Sequence, residues 1–170
     1  MDAQRLTAEL PRLRRYARAL VGDRALADDL VQDTLERAWS RAAQWRGETN
    51  GASLHGWLLS IMHNLRMDQL RRASPDVQAL DDETLAQPVR AAQADALEVR
   101  DLDRALRLLP EDQRTVLLLV TLEELPYAEV ARLLHVPLGT VMSRLSRARE
   151  RLRAILSGAA PPRPLLKVVA

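Results

Sequence analysis

The sequence predicts an all-α protein made of two small helical domains joined by a flexible acidic linker, and three observations predict it. Apolar residues recur at three- and four-residue spacing through most of the chain, the period of a helix with one buried face, and no strand pattern or internal repeat stands out. The 170 residues contain no Phe and only 3% aromatics, so Leu, Val, Ile and Ala must fill the core, which suits packed helices better than sheets. Charge is also unevenly spread. Residues 1–75 carry 12 Arg against 9 acids, 76–103 carry 2 Arg against 8 acids, and 104–157 carry 9 Arg against 6 acids. Two basic lobes flank an acidic strap.

Leu6, Leu10, Leu13, Ala17 and Leu20 define a first amphipathic helix, which Val21-Gly22 closes. Asp23 is the expected N-cap of a second helix running to about Ala43, with Leu26, Leu30, Leu35 and Ala38 as its apolar positions and Asp29, Asp33 and Glu36 as an acidic stripe. Trp45 to Ala52 is a polar loop with two glycines. Ser53 can cap a third helix reaching Arg72, whose inner face is Leu54, Leu58, Ile61 and Leu65. Ser74-Pro75 ends this first lobe, 1–75, and a linker over 76–95 follows. The second lobe, 96–157, starts with a helix from about Ala96 through Leu109 and continues with one from Gln113 to about Leu122. Then come helices over Tyr127–Leu134 and Pro137–Leu156. The tail, 158–170, is expected to be disordered.

Composition excludes several classes. No run nears eighteen apolar residues, and charges interrupt every apolar stretch from Met1 onward, so neither membrane insertion nor a signal peptide is expected, and the cytoplasm is the default location. Without cysteine there is no disulfide framework, no thiolate metal site and no cysteine nucleophile. No Gly-rich phosphate loop and no nucleophile with a paired His is present, and His55 and His63 lack partners at ligand spacing. An enzyme, a metal site and a cofactor are therefore not expected. All but one of the 25 basic residues are Arg, a bias that a GC-rich genome would also produce, so placement matters more than number.

Placement is most informative at the C-terminal end. In the short helix Tyr127–Leu134, Val130, Ala131 and Leu134 can face a neighbour. His135 falls in the turn, where positive φ is needed and His is among the tolerated non-glycine residues. Pro137 suits the first helical position of the next helix. There Val141, Leu145, Ala148, Leu152 and Ile155 line one face, and Arg144, Arg147 and Arg151 another. This is the pattern of a helix-turn-helix with a basic recognition helix for the major groove.

The strings Leu109-Pro110-Glu111-Asp112-Gln113-Arg114, Tyr127-Ala128-Glu129-Val130-Ala131 and Val136-Pro137-Leu138-Gly139-Thr140-Val141-Met142-Ser143-Arg144-Leu145 resemble region four of bacterial sigma factors of the extracytoplasmic-function (ECF) class. Ala27-Asp28-Asp29-Leu30-Val31-Gln32-Asp33, with the Trp-Arg-Gly-Glu loop, Trp57-Leu58 and Asn64, resembles region two of the same class. The resemblance covers about 5–72 and 98–155 and leaves no room for an intervening region.

It implies promoter recognition by core RNA polymerase. Leu138, Gly139, Thr140, Met142, Ser143 and Arg144 would meet base edges of the minus-thirty-five element, with Arg147, Arg149 and Arg151 at phosphates or flanking positions. Trp45, Arg46, Asn64, Arg66, Asp68, Arg71 and Arg72 would handle the minus-ten element, where opening the duplex costs a few kcal/mol per unstacked step and binding the exposed strand offsets it. Asn64 would hydrogen-bond a flipped base, whereas Trp57 is expected to pack in the core. Asp29, Gln32, Asp33 and Glu36 would bind core polymerase through its β′ subunit, with the β subunit as a further partner. An anti-sigma factor and a monomeric free state are implied as well. Two departures stand out. The stretch between Gly47 and Trp57 is about three residues longer than the common form, which leaves the minus-ten base open, and His135 replaces the usual Gly of the turn. A sigma-like decoy that titrates a regulator, and a repressor binding a palindrome as a dimer, remain as alternatives.

Overall fold

The computed structural model describes residues 3–45, 53–73 and 97–158, with the side chains of 97–100 excepted. The longer loop, including Arg46, and the expected linker and tail lie outside these residues. Among the described residues there are seven α-helices and one 3-10 turn, and no strand. They are α1 (Ala3–Val21), α2 (Arg24–Ser40), a 3-10 turn (Ala42–Gln44), α3 (Leu54–Ala73), α4 (Leu97–Arg107), α5 (Glu111–Thr121), α6 (Tyr127–Leu134) and α7 (Leu138–Leu156).

Helix starts follow from local chemistry. The Asp23 carboxylate accepts from the Leu26 N–H at 2.9 Å, and Ser53 Oγ accepts from the Gly56 N–H at 3.0 Å, each satisfying a donor that the first helical turn leaves open. The helices of the second lobe start differently. Pro110, Pro126 and Pro137 precede α5, α6 and α7 with φ between −53° and −59°, and their carbonyls accept from Arg114, Val130 and Val141. Pro137 is thus the residue before the first helical turn, one position earlier than expected. Gly22 ends α1 at φ +78°, a conformation open to glycine at little cost. The second helix stops at Ser40 rather than Ala43, because the chain tightens into the 3-10 turn there.

The first lobe buries Leu13, Tyr16, Leu20, Leu30, Leu58, Leu59 and Met62 almost completely, each worth about 1.5–3 kcal/mol relative to exposure. One sequence expectation fails here. Leu26 is 57% exposed, and the buried face of α2 is Ala27, Leu30, Val31, Thr34 and Ala38. Capping by Asp23 fixes the helix start, and from that start Leu26 falls on the rim of an open groove between α2 and α3, beside Gln69 and Leu70. In the second lobe, Val116, Leu119, Val130, Val141, Leu145 and Ala148 form the centre, with Leu152 and Ile155 only partly covered.

The two lobes pack against each other: α1 lies on α4 and α5, and α3 lies on α6. Every residue from Gln113 to Leu119 on α5 is buried, because α1 covers one side and α6 and α7 the others. Part of that burial is polar. Gln113 Oε1 and Thr115 Oγ1 are enclosed without a hydrogen-bond partner among the described residues, a cost of about 1–3 kcal/mol per group. Gly56 sits where α3 meets α6, and a Cβ there would come within 2.7 Å of the Glu129 carboxylate.

Candidate nucleic-acid and polymerase interface

The helix-turn-helix is built as its residues require. His135 adopts φ 55°, ψ 41°, the left-handed conformation that reverses the chain between α6 and α7. For a residue with a Cβ this costs about 1–2 kcal/mol. His135→Gly is therefore expected to raise the stability of the chain by about 0.5–1 kcal/mol, since the added freedom of glycine in the unfolded state offsets part of the relief. Thermal unfolding checks this, with an expected rise of about 1–4 °C for a chain of this size.

On α7, Val141, Leu145 and Ala148 are buried, while Leu138 and Met142 are 48% and 53% exposed. Gly139, Ser143, Arg147 and Arg149 are exposed as well, and Thr140 is half-buried. At about 100° per residue, Gly139, Ser143 and Arg147 lie opposite the buried row. Arg144 and Arg151 fall on its flank and are half-buried. Arg144 Nε lies 3.0 Å from an Asp112 carboxylate oxygen at the start of α5, which holds the guanidinium at the edge of the exposed face.

Geometry divides the residues expected at the minus-ten element. Asn64, Asp68, Arg71 and Arg72 share one side of α3, with Asp68 ion-paired to Arg71. Arg66 lies about 200° around the helix from Asn64. Its Nε and Nη2 reach the two Glu111 oxygens at 3.0 and 3.2 Å, a bidentate bridge to the second lobe. Trp45 packs at 5.3 Å, tilted by 38°, against Trp57, so the two indoles brace the end of α2 against α3. Trp57 is half-buried rather than fully in the core.

Asp29, Gln32, Asp33 and Glu36 are all exposed along one side of α2, and Gln32 donates to Glu36 at 2.9 Å. Glu36 also rims an open apolar cleft between α1 and α2, about 460 Å³, lined by Leu6, Leu10, Leu35 and Trp39. Trp39 is 59% exposed. The cleft was not legible in the sequence, although an indole one turn from the acidic stripe on an amphipathic helix was the signal available. Among the described residues, no group of three or more His, Cys, Asp or Glu is placed to hold a metal ion, and no helix is long and apolar enough to cross a membrane.

Residues 100–152 match the family model for sigma-70 region 4, and residues 6–63 match that for the sigma2 domain of PhyR. The chain is 36% identical over 155 residues to the ECF RNA polymerase sigma factor EcfG of Rhodopseudomonas palustris, covering 89% of this chain and 82% of that protein. The chain belongs to the ECF family of RNA polymerase sigma factors. Within that family it is also 36% identical over 145 residues to SigM of Mycobacterium tuberculosis, covering 85% of this chain and 71% of that one. The sigma factor RpoE of Bartonella quintana, solved in complex with the anti-sigma factor NepR, superposes with a TM-score of 0.71 at 32% identity, covering 91% of this chain and 95% of that one. In these terms α1–α3 carry sigma region two and α4–α7 carry sigma region four.

Proposed function

We propose that this ECF sigma factor directs core RNA polymerase to promoters through two separate surfaces. The observation that carries the reading is the division of α7. Its Val141–Leu145–Ala148 row is sealed against its own domain while Gly139, Met142, Ser143 and Arg147 remain in solvent, so that a rigid helix presents polar and basic groups to a major groove. Arg149 and Arg151 suit phosphates on either flank. Asn64, Arg71 and Arg72 on α3 suit an exposed minus-ten strand, the arginines at its backbone and the amide at a base edge. Arg66 lies on the opposite side of α3, where Glu111 of the second lobe holds it.

The exposed Asp29, Gln32, Asp33 and Glu36 suit a basic surface of core polymerase, and the adjoining Trp39 supplies the large aromatic contact that such interfaces favour. An anti-sigma factor is proposed as a second partner, on the ground that the similar B. quintana protein was solved bound to one. The surface is tested by reversing two charges. Asp29→Lys with Asp33→Lys should weaken binding to purified core polymerase by more than about tenfold, or about 1.4 kcal/mol, with helical content unchanged because both side chains are exposed. Unaltered binding would remove this stripe from the interface.

A further inference from the structure

The exposed side of α7 has two edges of different chemistry. Measured around the axis from Leu138, Arg149 stands at about 20°, Met142 at about 40° and Arg153 at about 60°. All four side chains are exposed. Thr140, Arg144 and Arg151 stand between about 200° and 240°, on the other edge, and are half-buried. The Gly139–Ser143–Arg147 row runs between them. The Arg144 edge is polar and is held in place by Asp112. The opposite edge begins with two large apolar side chains and ends with two cations. Leu138 and Met142 stay open to solvent even though the two lobes are packed together.

Gly139 lies beside this apolar pair. A Cβ there would meet nothing within 4 Å, and its φ is not positive. Neither packing nor backbone angle therefore calls for glycine, which is also a poor helix former. What a missing side chain does allow at this end of α7 is close approach of another molecule to the backbone.

Chemistry identifies what the apolar pair can recognise. In the major groove, base edges present hydrogen-bond donors and acceptors, and their distinctive apolar group is the 5-methyl of thymine. A leucine side chain has no donor or acceptor, and methionine has only a weakly accepting thioether. Against a guanine or cytosine edge the pair would strip water from polar atoms and return no hydrogen bond. Against a thymine methyl it buries apolar surface on both sides.

We propose that Leu138 and Met142 read the methyl groups of two nearby thymines in the minus-thirty-five element. This rests on the proposed placement of α7 in the major groove and adds what its apolar edge selects. Four residues of helix advance about 6 Å along the axis, close to two base-pair steps of about 3.4 Å. The two thymines therefore lie within about two or three base pairs of each other. Met142, unbranched and flexible, adapts to the position of its methyl. Arg149 and Arg153 continue the same edge and supply cations for the neighbouring phosphates, a pairing of apolar and basic groups that suits DNA.

Uracil lacks only the methyl of thymine, so it isolates this contact. The full chain with purified core polymerase is bound to a promoter that it transcribes, and each thymine of the minus-thirty-five element, on either strand, is replaced in turn by uracil. Replacement at two nearby thymines should weaken binding by about fourfold each, the effect of one buried methyl-sized group. Met142→Ala should weaken binding to the unmodified promoter and remove the thymine–uracil difference at one of these positions. Leu138→Ala should remove it at the other. Both side chains are exposed and alanine favours helix, so thermal unfolding of the two variants should match the parent. Arg144→Ala, on the other edge, should leave both differences in place. The inference is overturned if every uracil is silent, if the element contains no thymine, or if the differences survive in both alanine variants. Each of those results leaves dependence on the minus-thirty-five sequence intact and the proposed function standing. Absence of any such dependence in the parent would contradict the placement of α7 on DNA, and this inference with it.

Discussion

Leu145→Ala is expected to destabilise region four by about 2–5 kcal/mol, the cost of removing a buried leucine and leaving a cavity. Leu145 is 2% exposed at the middle of the row by which α7 packs on α5 and α6. The effect should be confined to that lobe, because the core of region two is made by α1, α2 and α3. Chemical denaturation should therefore show an early transition for region four, while the core-binding surface on α2 keeps its structure. At promoters, loss of the helix-turn-helix should remove dependence on the minus-thirty-five sequence and leave binding to core polymerase largely intact. A variant as stable as the parent would mean that α7 is not docked by this face.

Arg144→Ala should act on recognition rather than folding. Its guanidinium is half-buried on the flank of α7 and tied to Asp112, so its position is fixed before DNA arrives. An arginine held in this way that reads a base pair contributes about 1–3 kcal/mol of discrimination, or about 5- to 150-fold. The expected result is a loss of promoter activity graded by the minus-thirty-five sequence, measured across a set of single-base promoter variants. A uniform loss on every promoter would instead assign Arg144 to a phosphate.

Much of the scaffold could be read from local chemistry. Asp23 and Ser53 marked helix starts because their side chains bond within three residues, and His135 marked the turn because few residues accept its backbone angles. The inward row of α7 followed from spacing alone. Leu26 was misplaced for a related reason: spacing identifies apolar positions within about a turn, but tertiary packing chooses which flank of the stripe is covered. The contacts between lobes were not legible at all. His55 meets Glu123 across 68 residues and Arg66 meets Glu111 across 45, with no local pattern to announce either. Arg66 illustrates the consequence. Its type and helix suggested a DNA backbone contact, yet its angular position turns it toward region four and away from Asn64, Arg71 and Arg72.

As an ECF sigma factor, the chain is expected to confer promoter-specific initiation on core polymerase. In vitro transcription with purified core polymerase and a library of genomic promoters tests it most directly. Discrete transcripts are expected that require the added chain, that fall with Asp29→Lys/Asp33→Lys on all promoters, and that fall with Arg144→Ala according to the minus-thirty-five sequence. Tight binding to core with no promoter-specific transcript would contradict it and indicate a decoy. Dimeric binding to a palindrome with no affinity for core would contradict it and indicate a repressor.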